Sequence, residues 1–214
     1  MSTALARRTA SHEFRRAAVL DAAADVFARA GLEGATMRAI AEAAGYSAAA
    51  LYAYYPAKEA IYADLLAQSL DRLRRTVSGE IDGAMGDEAR VRAGIAGFLN
   101  HYRVHPRDLE LGLYLFQGLG PHGLSPTLDR DLNNRLIAVL RRIADTIARF
   151  GRLDPLVAHG ETVGVFAHLL GILVAERTGR LKTLDARAED LLGRFLDGLV
   201  ARLRPGAAVR RGVC

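Results

Sequence analysis

Apolar residues recur at helical spacing along nearly the whole chain, and no stretch alternates as a half-buried strand must. That pattern excludes sheet architectures and predicts an all-α fold, helix packed on helix. Start and stop signals divide the pattern into nine helices. The first spans about 13–30, with Leu20, Ala23, Ala24 and Phe27 on one face and Gly31 as its stop. Thr36 can cap a second, ending at Gly45, and Ser47 a third, ending near Tyr54. Pro56 fits just before or at the start of a fourth, reaching about Val77. "SGEIDGAMGD" reads as a glycine-rich break, after which Asp87 can cap a fifth. Pro106 separates the fifth from a sixth over about 107–118. "GLGPHGLSP" is a loop; Ser125–Pro126 and Asp154–Pro155 then open a seventh and an eighth helix, ending near Phe150 and Thr178. The ninth spans about 185–203.

A chain of 214 residues supports one large domain or two small ones. Its single cysteine, Cys214, excludes an internal disulfide and a cysteine-based metal site. A reducing, cytoplasmic setting follows as the simplest expectation. Lysine occurs only at 58 and 182, so nearly all positive charge is arginine. The net charge is +5, unevenly placed: residues 1–75 carry +2, residues 76–201 carry −1, and 202–214 hold four arginines and no acid. Basic ends around a neutral middle are compatible with nucleic-acid binding without establishing it. The basic N-terminus "MSTALARRTASHEFRR" lacks the apolar stretch of a secretory signal. The most apolar window, Thr162–Ala175, has fourteen residues without a formal charge, short of the roughly 20 that span a bilayer, and reads as a buried helix rather than a membrane segment.

The second and third helices are short and joined by "AAGYS", the sequence form of a helix-turn-helix. Ile40, Ala41, Ala44, Leu51 and Tyr55 are its predicted internal contacts, which leaves the outer face of the third helix free. In this geometry the N-terminal end of that helix faces base edges in the major groove. From about Val19 to Leu66 the chain resembles the TetR family of bacterial transcriptional regulators. The resemblance rests on Ala22, Ala23 and Phe27, then Gly31 and Thr36, then "IAEAAGYS" and "LYAYYPAKEAI", in order and at the family spacing. Beyond Leu66 only the number and length of the helices are compatible with that family.

The resemblance implies phosphate contacts for Thr36, Tyr54 and Lys58, with Tyr52 in register on the same segment. Such contacts position a protein on a duplex without selecting sequence. Base readout is the harder question. Where family members often carry a basic or polar residue and a threonine, this chain has Ala48 and Ala50, with Ala49 between them. Alanine offers a methyl group, suited to the thymine methyl, and lets backbone approach the groove. Arg38, Tyr46 and Ser47 are therefore the polar candidates for readout. Arg7, Arg8, Arg15 and Arg16 form either an arm along the DNA backbone or a solvated tail.

In the remainder, Leu191, Leu192, Phe195, Leu196, Leu199 and Leu203 form a stripe on the ninth helix. The eighth is apolar over much of its circumference, with Gly160, Gly164 and Gly171 permitting close approach. These two helices are the expected homodimer surface, as the resemblance also implies, and a two-fold dimer implies a palindromic double-stranded DNA operator. Helices four to seven are where the resemblance places an effector cavity; His101, Tyr102, Tyr114, Phe116 and Gln117, with His168, are the candidate lining for a small lipophilic ligand. His101 and His105 share a helix face at a spacing that suits a metal, but no third ligand accompanies them, so neither metal nor cofactor is expected. No phosphate-binding glycine loop or Ser/His/acid set points to an enzyme. The sequence reading is a DNA-binding domain over 1–56, an effector and dimerisation domain over 57–204, and a frayed tail over 205–214. Its function is a dimeric, ligand-responsive repressor; the alternative is an architectural DNA binder of the same fold without an effector.

Overall fold

A computed structural model describes the backbone over residues 2–114 and 124–206, and side chains over 13–113 and 124–206. The described elements are α1 (Ser2–Gly34), α2 (Met37–Ala43), α3 (Ala48–Tyr52), α4 (Lys58–Gly83), α5 (Asp87–Val104), α6 (Pro106–Tyr114), α7 (Pro126–Gly151), α8 (Pro155–Arg177), α9 (Arg180–Thr183) and α10 (Ala188–Leu203). No strand occurs among the described residues.

The chain forms two compact units, Met1–Leu70 with Pro106–Asn134, and Asp71–His105 with Arg135–Cys214. The division falls inside α4 and α7, so no single boundary residue separates the units. In the first, Val19, Leu20, Ala23 and Phe27 of α1 meet Ile40 and Ala41 of α2, Leu51 of α3, and Ile61, Tyr62, Leu65 and Leu66 of α4 in the core. Phe27 and Tyr62 pack edge to face at 5.3 Å, a favoured aromatic geometry. Arg107 of α6 pairs with Asp25 of α1 at 3.0 Å, and the Tyr62 hydroxyl donates to the Leu111 carbonyl. The second unit is built on Leu73, Val77 and Ile81, Val91, Ile95 and Phe98, Val139, Ile143 and Ile147, and Val165, Leu169 and Ile172.

Several boundaries correct the sequence reading. The backbone leaves helical geometry at Gly31 (φ 69°, ψ 177°), as a stop there requires, but helical turns resume through Gly34. α4 continues through Gly79 to Gly83, so the "SGEIDGAMGD" break shrinks to a few residues. Each helical glycine costs ~1 kcal/mol relative to alanine. Ile81 is 4% exposed, and burying such a side chain contributes about 1.5–3 kcal/mol. A Cβ on Gly94 would lie 2.9 Å from the Ile81 side chain, so α5 approaches α4 closely there and holds the helix past its glycines. Asp87 is not the cap of α5: Gly86 occupies the cap position, and Asp87 sits in the first turn, where its charge favours the helix dipole. The expected ninth helix begins three residues late. A one-turn α9 precedes it, and Asp185 takes a left-handed conformation (φ 49°) between the two. By contrast, Ser125 Oγ accepts from Leu128 N–H at 3.4 Å, and Asp154 accepts from Leu156 N–H at 2.8 Å, so both cap-then-proline starts are present.

Candidate nucleic-acid interface

Local chemistry builds α2, the turn and α3. Thr36 is extended, and its hydroxyl oxygen accepts from Ala39 N–H at 3.1 Å. Gly45 adopts φ 73°, a left-handed value that glycine takes without steric cost. With Gly45 there, Tyr46 N–H reaches the Ala41 carbonyl at 2.8 Å and Gly45 N–H the Glu42 carbonyl at 3.1 Å, closing α2 in a Schellman motif. Ser47 then accepts from Ala50 N–H at 3.1 Å and starts α3. Both capping hydroxyls use only an acceptor lone pair, so each keeps its proton to donate to a phosphate oxygen. Of the predicted internal contacts, Ile40, Ala41, Leu51 and Tyr55 are buried; Ala44, at the end of α2, is half-buried.

A polar cluster that the sequence reading missed locks α3 to the rest of the unit. The Tyr55 hydroxyl donates to Asp64 Oδ2 at 2.5 Å. Arg16 donates from Nε to the Tyr55 oxygen at 3.1 Å, and from Nε and Nη2 to Asp64 at 2.9 and 2.6 Å. Burial first, and the Asp64 bond second, push the Tyr55 phenol up to about 12. Lys58, the first residue of α4, donates to the carbonyls of Glu33 and Ala35 at 3.0 and 2.9 Å. It thereby satisfies carbonyls that the end of α1 leaves open, with one N–H still available. The cluster's partners lie up to 48 residues apart, so no local sequence signal announces them.

The outward residues are small, aromatic or arginine. Ala49 is exposed and Ala48 half-buried; Tyr52 is 55% exposed on the same short helix. Arg38, in the first turn of α2, is exposed and has no ion pair or hydrogen bond among the described residues. Tyr46 and Tyr54 are half-buried on either side of α3, and the neighbouring Tyr54 phenol raises the Arg15 guanidinium above its ordinary range. Arg7 and Arg8 fall within α1, their side chains outside the described residues. The segment thus presents hydroxyls and guanidinium groups around a methyl-lined helix.

The candidate ligand residues are more scattered. His101 is 2% exposed, its Nδ1 3.1 Å from Thr76 Oγ1, and its ring meets Tyr102 at 5.3 Å and His105 at 4.9 Å. No group of three metal-capable side chains occurs among the described residues. His168 stacks on Phe195 at 4.0 Å, and burial holds its imidazole below the usual histidine range. Phe116 and Gln117, and the side chain of Tyr114, lie outside the described residues. A cavity of about 500 Å³ lies in the first unit instead, lined by Ala24, Phe27, Gly31, Tyr62, Arg107 and Leu111 among others; of the described candidate ligand residues, His101, Tyr102 and His168, none lines it.

Fold and site together define a helix-turn-helix unit within a helical chain. Residues 19–65 match the family "Bacterial regulatory proteins, tetR family". The chain is 40% identical over 65 residues to the HTH-type transcriptional regulator RutR of Escherichia coli K12, covering 30% of this chain and 31% of RutR. It is 37% identical over 87 residues to the HTH-type transcriptional repressor KstR2 of Rhodococcus jostii RHA1, covering 39% of this chain and 43% of KstR2. The chain therefore spans less than half the length of the curated relatives it matches. In fold it resembles the transcriptional regulator FadR of Bacillus subtilis, solved in complex with stearoyl-CoA, with a TM-score of 0.65 at 18% identity, covering 86% of this chain and 97% of that one.

Proposed function

We propose that this protein is a dimeric transcriptional repressor that occupies a palindromic operator and leaves it when a small lipophilic effector binds. The observation that carries the reading is the α2–turn–α3 unit, with Arg38, Ser47 and Tyr52 exposed around Ala49. Bidentate pairing of an arginine such as Arg38 with guanine is worth about 1–3 kcal/mol of discrimination. Thr36, Tyr54 and the remaining N–H of Lys58 serve phosphates, and Tyr46, Ala48 and Ala49 line the approach.

The dimer surface is the outer face of α8, where Leu156, Val157, Val163 and Val174 are exposed beside Gly160, Gly164 and Gly171. The leucine stripe of α10 is mostly spent inside the chain, since Leu192, Leu196, Leu199 and Leu203 are buried, which leaves half-buried Leu191 and Phe195 for a partner. α8 has 23 residues and is long and apolar enough to cross a membrane by length and composition. Glu161 within it is nevertheless ion-paired to Arg202 at 2.7 Å, which favours a second copy over lipid as the cover. Gel filtration of Val163→Arg tests this: a monomer supports the surface, and an unchanged dimer removes it.

The effector domain lies within residues 57–204, and among the described residues His101, Tyr102 and His168 are the candidate contacts. The relative solved with stearoyl-CoA supports an acyl chain as the class of ligand. Release requires that the ligand bind the DNA-free state more tightly. The deciding experiment is selection from random duplex DNA. A two-fold symmetric enriched site, released by a long-chain acyl-CoA, is the expected result. No enrichment favours the architectural reading, whose support is that Ala48–Ala50 carry no hydrogen-bonding side chain.

A further inference from the structure

The cavity of about 500 Å³ in the first unit is lined from α1, α4 and α6. Its size falls within the ~300–1,000 Å³ of small-molecule sites. On α1 the lining includes three small side chains, Ala24, Ala28 and Ala30, which leave the space open. Phe27 and Tyr62, both buried and packed edge to face at 5.3 Å, supply its aromatic part, and Leu111 adds an aliphatic side chain from α6. The two charged lining residues, Arg107 and Glu110, are opposite in sign, and Arg107 is already held by Asp25 of α1 at 3.0 Å. An ion taken out of water there would meet no net opposite charge to offset its desolvation. Apolar and aromatic groups face no such cost.

The α1 part of the lining ends at Gly31 and Leu32, where the helix breaks at φ 69°. Directly beyond that break, Lys58 holds the carbonyls of Glu33 and Ala35, and Thr36 caps α2. Tyr62, itself part of the lining, donates its hydroxyl to the Leu111 carbonyl and so ties α4 to α6 at the same place. A molecule seated in the cavity therefore touches the stretch of chain that leads into α2. We propose that this cavity is a small-molecule site on the first unit itself, and that it takes a compact, uncharged, largely apolar molecule. Occupancy shifts the break at Gly31, and α2 with it, and lowers affinity for duplex DNA. The proposal goes beyond the effector contacts placed within 57–204, and it rests on the DNA-binding reading above for that consequence alone. The consequence requires that the molecule bind the DNA-free state more tightly.

Benzophenone, uncharged, apolar and photoreactive, is the probe, used with the full-length protein. Irradiation followed by tryptic mass mapping is expected to label peptides 17–29, 30–38 or 108–130, which carry lining residues. Peptides 93–103 and 153–177, which carry His101, Tyr102 and His168, should stay largely unlabelled. Ala24→Phe fills the space and should cut the labelling by about ten-fold. Ala28→Phe reaches the same space from an exposed position and keeps the test open if the first variant does not fold. Saturating benzophenone should weaken binding to random-sequence duplex several-fold in the wild type and in neither variant. Labelling concentrated in 93–103 or 153–177, or labelling that both variants leave unchanged, overturns the site. Equal labelling by 4-benzoylbenzoate, the carboxylate analogue, overturns the uncharged class, and unchanged duplex affinity at saturation overturns the link to α2. Labelling is read without DNA, so a wild type that binds no duplex removes the DNA-binding reading and leaves the site to stand or fall on its labelling.

Discussion

In the first unit, a buried tyrosine, a carboxylate and an arginine meet where α3 is fastened to α1 and α4. In the second, the buried contacts of α8 and α10 are mainly aliphatic, with His168 stacked on Phe195 among them, and the ion pairs Arg92–Asp197, Arg103–Glu189 and Arg202–Glu161 sit on the outside. The difference follows from size. Helices as short as α2 and α3 bury few side chains, so polar bonds with fixed directions must set their angle. The longer helices of the second unit hold their positions by area, and their exposed pairs contribute little, typically under ~1 kcal/mol each. The reading surface therefore depends on a few residues, and the body on many.

Truncating one buried leucine in each unit is the strongest way to break this contrast. Leu51 is 1% exposed on the one-and-a-half-turn α3, and Leu199 is 0% exposed on α10. Both substitutions to alanine should cost about 2–5 kcal/mol by creating a cavity. Leu51→Ala is expected to abolish DNA binding while most helical circular dichroism survives. Leu199→Ala should lower the melting temperature of the body and leave binding measurable at low temperature. Equal loss of binding in both variants would show that the two units do not differ in this way.

Arg38→Ala probes the reading surface directly. It should relax preference at one base position per half-site by about 1–3 kcal/mol, measured by binding selection, with no change in melting temperature. An unchanged base preference would move readout to Tyr46, Ser47, methyl contacts and DNA shape.

What the sequence made legible was whatever depends on neighbours along the chain. Thr36, Gly45, Ser47, Ser125 and Asp154 announce caps and turns because their partners lie two to four residues away. The continuation of α4 through Gly79 was not legible, since Ile81 and Gly94 decide it across two helices. Nor was the engagement of Lys58 by carbonyls 23 and 25 residues upstream. Lys58 reads as a phosphate ligand in sequence and serves as a clip on α1 in the structure. The two roles compete for three donors, so Lys58→Ala should both lower the salt slope and destabilise the first unit by ~1 kcal/mol.

Tyr55 sharpens the contrast through pH. Its folded pKa of about 12 exceeds the ordinary value of 10, so the folded state holds this proton more tightly. The stability it contributes is full below pH 10 and is lost as pH rises through about 12. Tyr55→Phe removes one bond to Asp64 and should cost ~1 kcal/mol at neutral pH. The gap between wild type and variant should narrow between pH 10 and pH 12, read as urea midpoints. A constant gap would mean that the phenol is solvated.

The smallest effect belongs to His168, the one group of the α8–α10 contact whose charge is held down by burial. Its folded pKa lies below the ordinary 6.5, so the sign is opposite to that of Tyr55. The contribution is full above pH 6.5 and is lost as pH falls through the folded value. Protonation would place a charge on a ring stacked against Phe195, with Nε2 buried and unbonded. His168→Gln removes the titration, so its melting temperature should change less than that of the wild type between pH 7.5 and pH 5. The aliphatic body would then carry one weak acid-sensitive point, whereas the polar frame of the first unit carries an alkaline one. Equal acid sensitivity in wild type and variant would show that the imidazole finds a solvent path, and that the contact between α8 and α10 is looser than its stacking geometry implies.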